Sequence, residues 1–63
     1  MYKNFIGKKV TKSDGSKEAK PFKSGSKINT VKAIINHPIL NIEAFTFLED
    51  DSYVECRRCY LIK

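Results

Sequence analysis

The stretch Ile42-Glu43-Ala44-Phe45-Thr46-Phe47-Leu48 decides the fold class. Successive side chains of an extended chain point to opposite faces, so Phe45 and Phe47 share one face while Ala44, Thr46 and Leu48 share the other. The spacing predicts a strand over Ile42–Leu48. Glu49-Asp50-Asp51-Ser52 then reads as a polar hairpin turn. Tyr53-Val54-Glu55-Cys56 pairs back as a strand, with Val54 and Cys56 on one face. Arg57-Arg58-Cys59 is a short turn, or a single helical turn, before a last short strand at Tyr60–Ile62.

Upstream, Lys27-Ile28-Asn29-Thr30-Val31-Lys32-Ala33-Ile34-Ile35 is rich in β-branched residues, which favours a strand over a helix. Its two alternating sets are Thr30, Lys32 and Ile34 against Val31, Ala33 and Ile35. Asn36-His37-Pro38 ends it, because proline cannot donate to a ladder, and Ile39–Asn41 is a connector. A further strand is expected around Lys8–Lys12, with Gly7 at the bend before it. Between these strands, Ser13 to Ser26 reads as a loop. Asp14-Gly15 is a turn dipeptide, Pro21 holds Lys20 extended, and Gly25 marks a second turn. Phe22 is the loop's one large apolar residue and is expected to pin it to the core. The reading is all-β: five short strands in one domain over residues 1–63, with no helical periodicity and no internal repeat.

This pattern resembles the Src-homology-three-like small barrel, most closely its KOW and Tudor-like relatives. Gly7-Lys8-Lys9-Val10 looks like their opening strand. Ser24-Gly25, followed by Thr30-Val31-Lys32-Ala33-Ile34-Ile35, looks like their glycine and second strand. Tyr53-Val54-Glu55-Cys56 and Cys59-Tyr60-Leu61-Ile62 look like the fourth and fifth strands around a one-turn helical break. The likeness runs from Gly7 to Ile62 and implies a five-stranded barrel with a long first loop. The chain lacks both the Ala-Leu-Tyr-Asp-Tyr-type motif and the tryptophan of the peptide-binding members, so recognition of proline-rich peptides is not expected. Members of the fold bind RNA, DNA, modified tails, proteins or metabolites, so fold alone does not choose the function.

A chain of 63 residues buries only roughly 60% of its unfolded surface. That leaves little room for a deep, preorganised catalytic cleft, and no enzyme activity is expected. No apolar window approaches the roughly 20 residues that span a bilayer, and Met1–Gly7 lacks a signal-peptide run. The expectation is a cytoplasmic monomer without a membrane partner, its two cysteines reduced.

Lys and Arg number 12 against 7 Asp and Glu, a net charge of +5. The charge is polarised. Eight of the basic residues lie between Lys3 and Lys27, while residues 41–55 carry only acids. Such a balance suits an anionic partner, nucleic acid or an acidic protein surface, and is also ordinary for solubility. The candidate nucleic-acid-binding residues are Lys8, Lys9, Lys12, Lys20, Lys23, Lys27, Arg57 and Arg58. Lysines meet phosphates as point charges, and Tyr2, Phe5 and Phe22 nearby would stack on bases. The alternative is an interaction adaptor, such as an accessory factor of a phage or mobile element that binds a host protein. It would offer an edge strand or the Phe45/Phe47 face.

Cys56-Arg57-Arg58-Cys59 is the sharpest local motif. Two thiolates can bind zinc, and the arginines would favour the charged form. Zinc wants four ligands, however, and only His37 and a carboxylate such as Glu55 remain to complete the set. The favoured reading is Cys56 in the core and Cys59 capping the turn, with no metal and no cofactor. His37 reads as a turn residue. Glu49, Asp50, Asp51 and Glu55 do not match a calcium loop. They read as a solvated turn, able to attract the basic loop of the same molecule.

Overall fold

The computed structural model describes residues 2–13 and 18–62; the turn expected at Asp14-Gly15 lies outside them. Five antiparallel strands form one sheet: β1 (Lys9–Lys12), β2 (Asn29–Asn36), β3 (Glu43–Phe47), β4 (Tyr53–Glu55) and β5 (Cys59–Leu61). Their order is β4-β3-β2-β1-β5. A 3-10 turn at Cys56–Arg58 separates β4 from β5. The five strands and the one-turn break before the last are as expected; among the described residues no ladder joins β4 to β5 and no closed barrel is detected.

Strand β2 links the two halves of the sheet. Its start pairs with β1, Lys9 opposite Thr30 and Val10 opposite Asn29. Its remainder pairs with β3, Val31 opposite Phe47 and then Ala33 opposite Thr46. One extra residue, Lys32, therefore sits on β2 as a bulge. A bulge bends its strand and swaps which residues face inward. Before it, Asn29 and Val31 are buried; after it, Ile34 packs on the core and Ile35 is exposed. The single alternation expected across Thr30–Ile35 is thereby corrected: Val31 and Ile35 do not share a face.

The core is Val10, Phe22, Val31, Phe45, Phe47, Val54, Cys56 and Cys59. Phe45 and Phe47 point inward as one face, so they are not offered to a partner as the adaptor reading proposed. Leu48 is left exposed at the end of β3.

A 3-10 turn at Tyr2–Phe5, which no sequence signal marked, packs over Phe45. The Phe5 ring stacks on Phe45 at 5.2 Å, and Tyr2 meets Phe45 edge-on at 5.8 Å. The chain then turns at Gly7, whose φ of 81° suits glycine. Gly7 N–H bonds Val31 O and Val31 N–H bonds Lys8 O, tying this turn to β2.

Candidate nucleic-acid interface

The eight candidate cations fall into separate groups. Lys8 and Lys9 are exposed at the start of β1. Lys12 and Lys20 lie at its other end, where the Lys20 N–H bonds Lys12 O. The Lys12 ammonium stands 5.3 Å from the centre of the Phe22 ring, a cation–π contact. Arg58 joins this end through its Nε–H, which donates to Ser13 O at 3.0 Å. It also faces Glu55 at 3.5 Å. Arg57 faces the same carboxylate at 3.3 Å. Lys27 is exposed just before β2.

Lys23 lies elsewhere, donating to Asp51 of the β3–β4 turn. Among the described residues Lys8, Lys9 and Lys27 have no ion pair, whereas Lys23, Arg57 and Arg58 already face carboxylates. The aromatics expected beside the lysines are committed to packing. Phe22 is buried edge-on against Phe47 at 4.8 Å, and Phe5 and Tyr2 cover Phe45.

The acidic turn is a latch as well as a solvated loop. Asp50 Oδ2 accepts from Asn29 Nδ2 and from Ser24 N–H, both at 2.9 Å. Ser24 Oγ in turn donates to Asn29 Oδ1 at 3.0 Å. Ser52 donates to Asp50 Oδ1 through its N–H and its hydroxyl. Burial opposes the charge on Asp50, but the bonds from Ser52, Asn29 and Ser24 outweigh it and hold the carboxyl down at about 2. Glu49 takes two bonds from Thr30, N–H and Oγ1, each at 2.7 Å. The loop that carries Phe22 is therefore fastened from both sides. Its turn closes with the Gly25 N–H on Phe22 O, and Gly25 has φ of 91°. The attraction between acidic turn and basic loop was legible in the charge pattern. The buried Asn29 was not, because an asparagine between Ile28 and Thr30 carries no signal of depth.

Cys56 and Cys59 are both free and buried. The effect expected of the arginines is present only at Cys59, from Arg58, and burial outweighs it. Burial pushes the Cys56 thiol up to about 11, with Glu43 adding to it. Burial and neighbouring Cys56 push Cys59 up to about 12, against a smaller pull from Arg58 and Lys12. Desolvation of a thiolate outweighs cations that themselves lie near water. Among the described residues no group of three or more His, Cys, Asp and Glu is placed to hold a metal ion. His37 is used locally instead: its Nδ1 accepts from the N–H groups of Ile39 and Leu40 at 3.2 and 3.0 Å. Its ring meets Tyr53 edge-on. With so little thiolate, both cysteines should react with a thiol reagent at pH 8 on the order of a hundredfold more slowly than free cysteine. Denaturant should restore the ordinary rate. A rapid burst from the native protein would contradict this placement.

Comparison of the chain with protein-family models, curated proteins and solved structures finds no match.

Proposed function

We propose that this chain is a non-catalytic binding module that contacts nucleic acid through lysines of β1 and its flanking loop. In fold we take it as a Src-homology-three-like small barrel of the KOW and Tudor-like kind. Three features support that fold reading: the strand order β4-β3-β2-β1-β5, a bent β2 shared by both halves, and the one-turn break before β5.

The observation that carries the functional reading is a set of exposed lysines that no carboxylate pairs among the described residues. Five of the 7 acids lie on β3, β4 and the turn between them. Three of those acids already hold Lys23, Arg57, Arg58 or the Ser24–Asn29 pair. Lys8, Lys9 and Lys27 are left exposed without ion pairs among the described residues, and Lys12 and Lys20 lie at the far end of β1. Unpaired ammonium groups on a surface of net positive charge attract phosphates without reading sequence.

A salt titration tests this. If Lys8, Lys9, Lys12 and Lys27 each meet one phosphate, log K against log salt should fall with a slope of about −3 on a single strand. Replacing Lys8 and Lys9 together by Gln should reduce that slope by about 1.4. Binding that is undetectable at low salt would overturn the reading and move the function to a protein partner. For that alternative the supporting feature is the tip of the β2–β3 connector, where Ile39 is 81% exposed.

A further inference from the structure

The chain has three tyrosines and four phenylalanines. Tyr2, Phe5 and Phe45 form one ring cluster, Phe22 and Phe47 a second, and Tyr53 meets His37. Among the described residues Tyr60 has no ring partner, and it is 56% exposed.

Its position explains why. Tyr60 sits in the middle of the edge strand β5, directly opposite Thr11. Val10, the neighbour of Thr11, points into the core. Alternation along β1 therefore puts Lys9 and Thr11 on the outer face with Tyr60. Ile62, whose N–H bonds Lys9 O, takes the same face of the β5 end, and Ile28 and Thr30 take it on the β2 side of β1. Ile62 and Ile28 are both exposed. Tyr60 therefore stands beside Ile62, two positions along β5, with Thr11 across from it and the exposed Lys9 on the diagonal, while Ile28 lies beyond Thr11. Of the acids in the β3–β4 turn, Asp50 and Asp51 are engaged by the Phe22 loop, and Glu49 is held by the N–H and Oγ1 of Thr30, the residue across from Lys9.

We propose that this outer face is a stacking platform for single-stranded nucleic acid. One base lies on the Tyr60 ring beside Ile62, and Lys9, on the diagonal, meets an adjacent phosphate. The proposal rests on the nucleic-acid reading above and sharpens it. It replaces Tyr2, Phe5 and Phe22 with Tyr60 as the stacking residue, and it chooses the single strand over the duplex. A flat sheet face can cover a base only when that base is unstacked, whereas a duplex hides its base faces. Stacking needs no particular base, so the platform has no sequence preference beyond stacking strength. Lys9, on the diagonal from Tyr60 and without an ion pair among the described residues, favours a phosphate-bearing ligand over an apolar protein surface.

The test measures fluorescence anisotropy of a short labelled oligothymidylate and of a duplex of equal length at low salt. The proteins are the wild type, Tyr60→Ala, Tyr60→Phe and Lys9→Gln. Tyr60→Ala should weaken single-strand binding about tenfold, while Tyr60→Phe keeps most of it. The duplex should bind more weakly than the single strand, and Lys9→Gln should lower the salt slope without removing the Tyr60 effect. In the wild type, the Tyr60 ring proton resonances should move upfield on titration, a readout that no variant's folding can disturb. Oligothymidylate bound equally well by Tyr60→Ala, with unmoved ring resonances, would overturn the platform and leave the lysine reading standing. Binding of neither nucleic acid would overturn both. Shifts of Tyr60 and Ile62 that follow protein concentration alone would assign the face to a second copy of the chain and overturn the proposal.

Discussion

Phe45→Ala should leave the protein largely unfolded at 25 °C. Phe45 is fully buried at the centre of β3, between Ile34 of β2 and Val54 of β4. Its ring also carries aromatic cover at that end of the core, Phe5 stacked and Tyr2 edge-on. Truncating a buried phenylalanine costs about 3–5 kcal/mol. A domain of 63 residues has about 3–9 kcal/mol in total, so one substitution removes from about a third to all of it. The Tyr2–Phe5 turn has no buried residue of its own, and it should detach when its ring partner goes. Urea denaturation followed by circular dichroism reads the loss. Leu48→Ala, three residues along the chain but 65% exposed, should stay within about 0.5 kcal/mol of wild type. If Phe45→Ala melted within a few degrees of wild type, the Tyr2–Phe5 turn would not be part of the core.

The same residues show what the sequence could reveal. The Phe45-x-Phe47 spacing placed both rings on one face because a strand has a period of two, and the bounds of β3 came within one residue at each end. Spacing gives a shared face but not which side of the sheet it lies on, so the inward direction came only from the fold. The bulge at Lys32 was invisible because nothing in Val31-Lys32-Ala33 distinguishes a bulged lysine from a paired one. The packing of Tyr2 and Phe5 depends on a partner some 40 positions away, beyond the reach of any local pattern. Among the candidate site residues, composition correctly separated lysines from acids along the chain. It could not tell that Lys23, Arg57 and Arg58 face carboxylates, because those pairings are set by which turns the sheet brings together.

The second large effect belongs to the Asn29–Asp50 latch, and it depends on pH. Asn29 is fully buried, and both ends of its amide are used: Nδ2 on Asp50 and Oδ1 receiving Ser24 Oγ. Asn29→Ala removes both bonds and leaves the half-buried Asp50 and the exposed Ser24 with fewer partners, which should cost about 1–3 kcal/mol at pH 7. Asp50 sets the pH dependence. Its carboxyl titrates at about 2 in the folded protein against 3.8 ordinarily. A carboxyl depressed on folding stabilises the folded state fully above the ordinary value, and that contribution drains away as pH falls through the folded one. Asp50 lies where solvent still reaches it, so about 1 kcal/mol should be lost between pH 4 and pH 2. Glu49 is also held below its ordinary range: burial opposes the shift, and the Thr30 bonds outweigh it. It contributes in the same direction, so the wild-type curve alone does not isolate Asp50. The gap in stability between wild type and Asp50→Asn does isolate it. That gap should be widest near neutral pH and should narrow steadily below pH 4, because the protonated carboxyl accepts the bonds of Asn29, Ser24 and Ser52 little better than an amide does. Urea midpoints of the two proteins at matched ionic strength read it directly. A gap that stays constant from pH 6 to pH 2 would mean that the charge on Asp50 contributes nothing to fastening the Phe22 loop, leaving only the neutral bonds to hold it against β2.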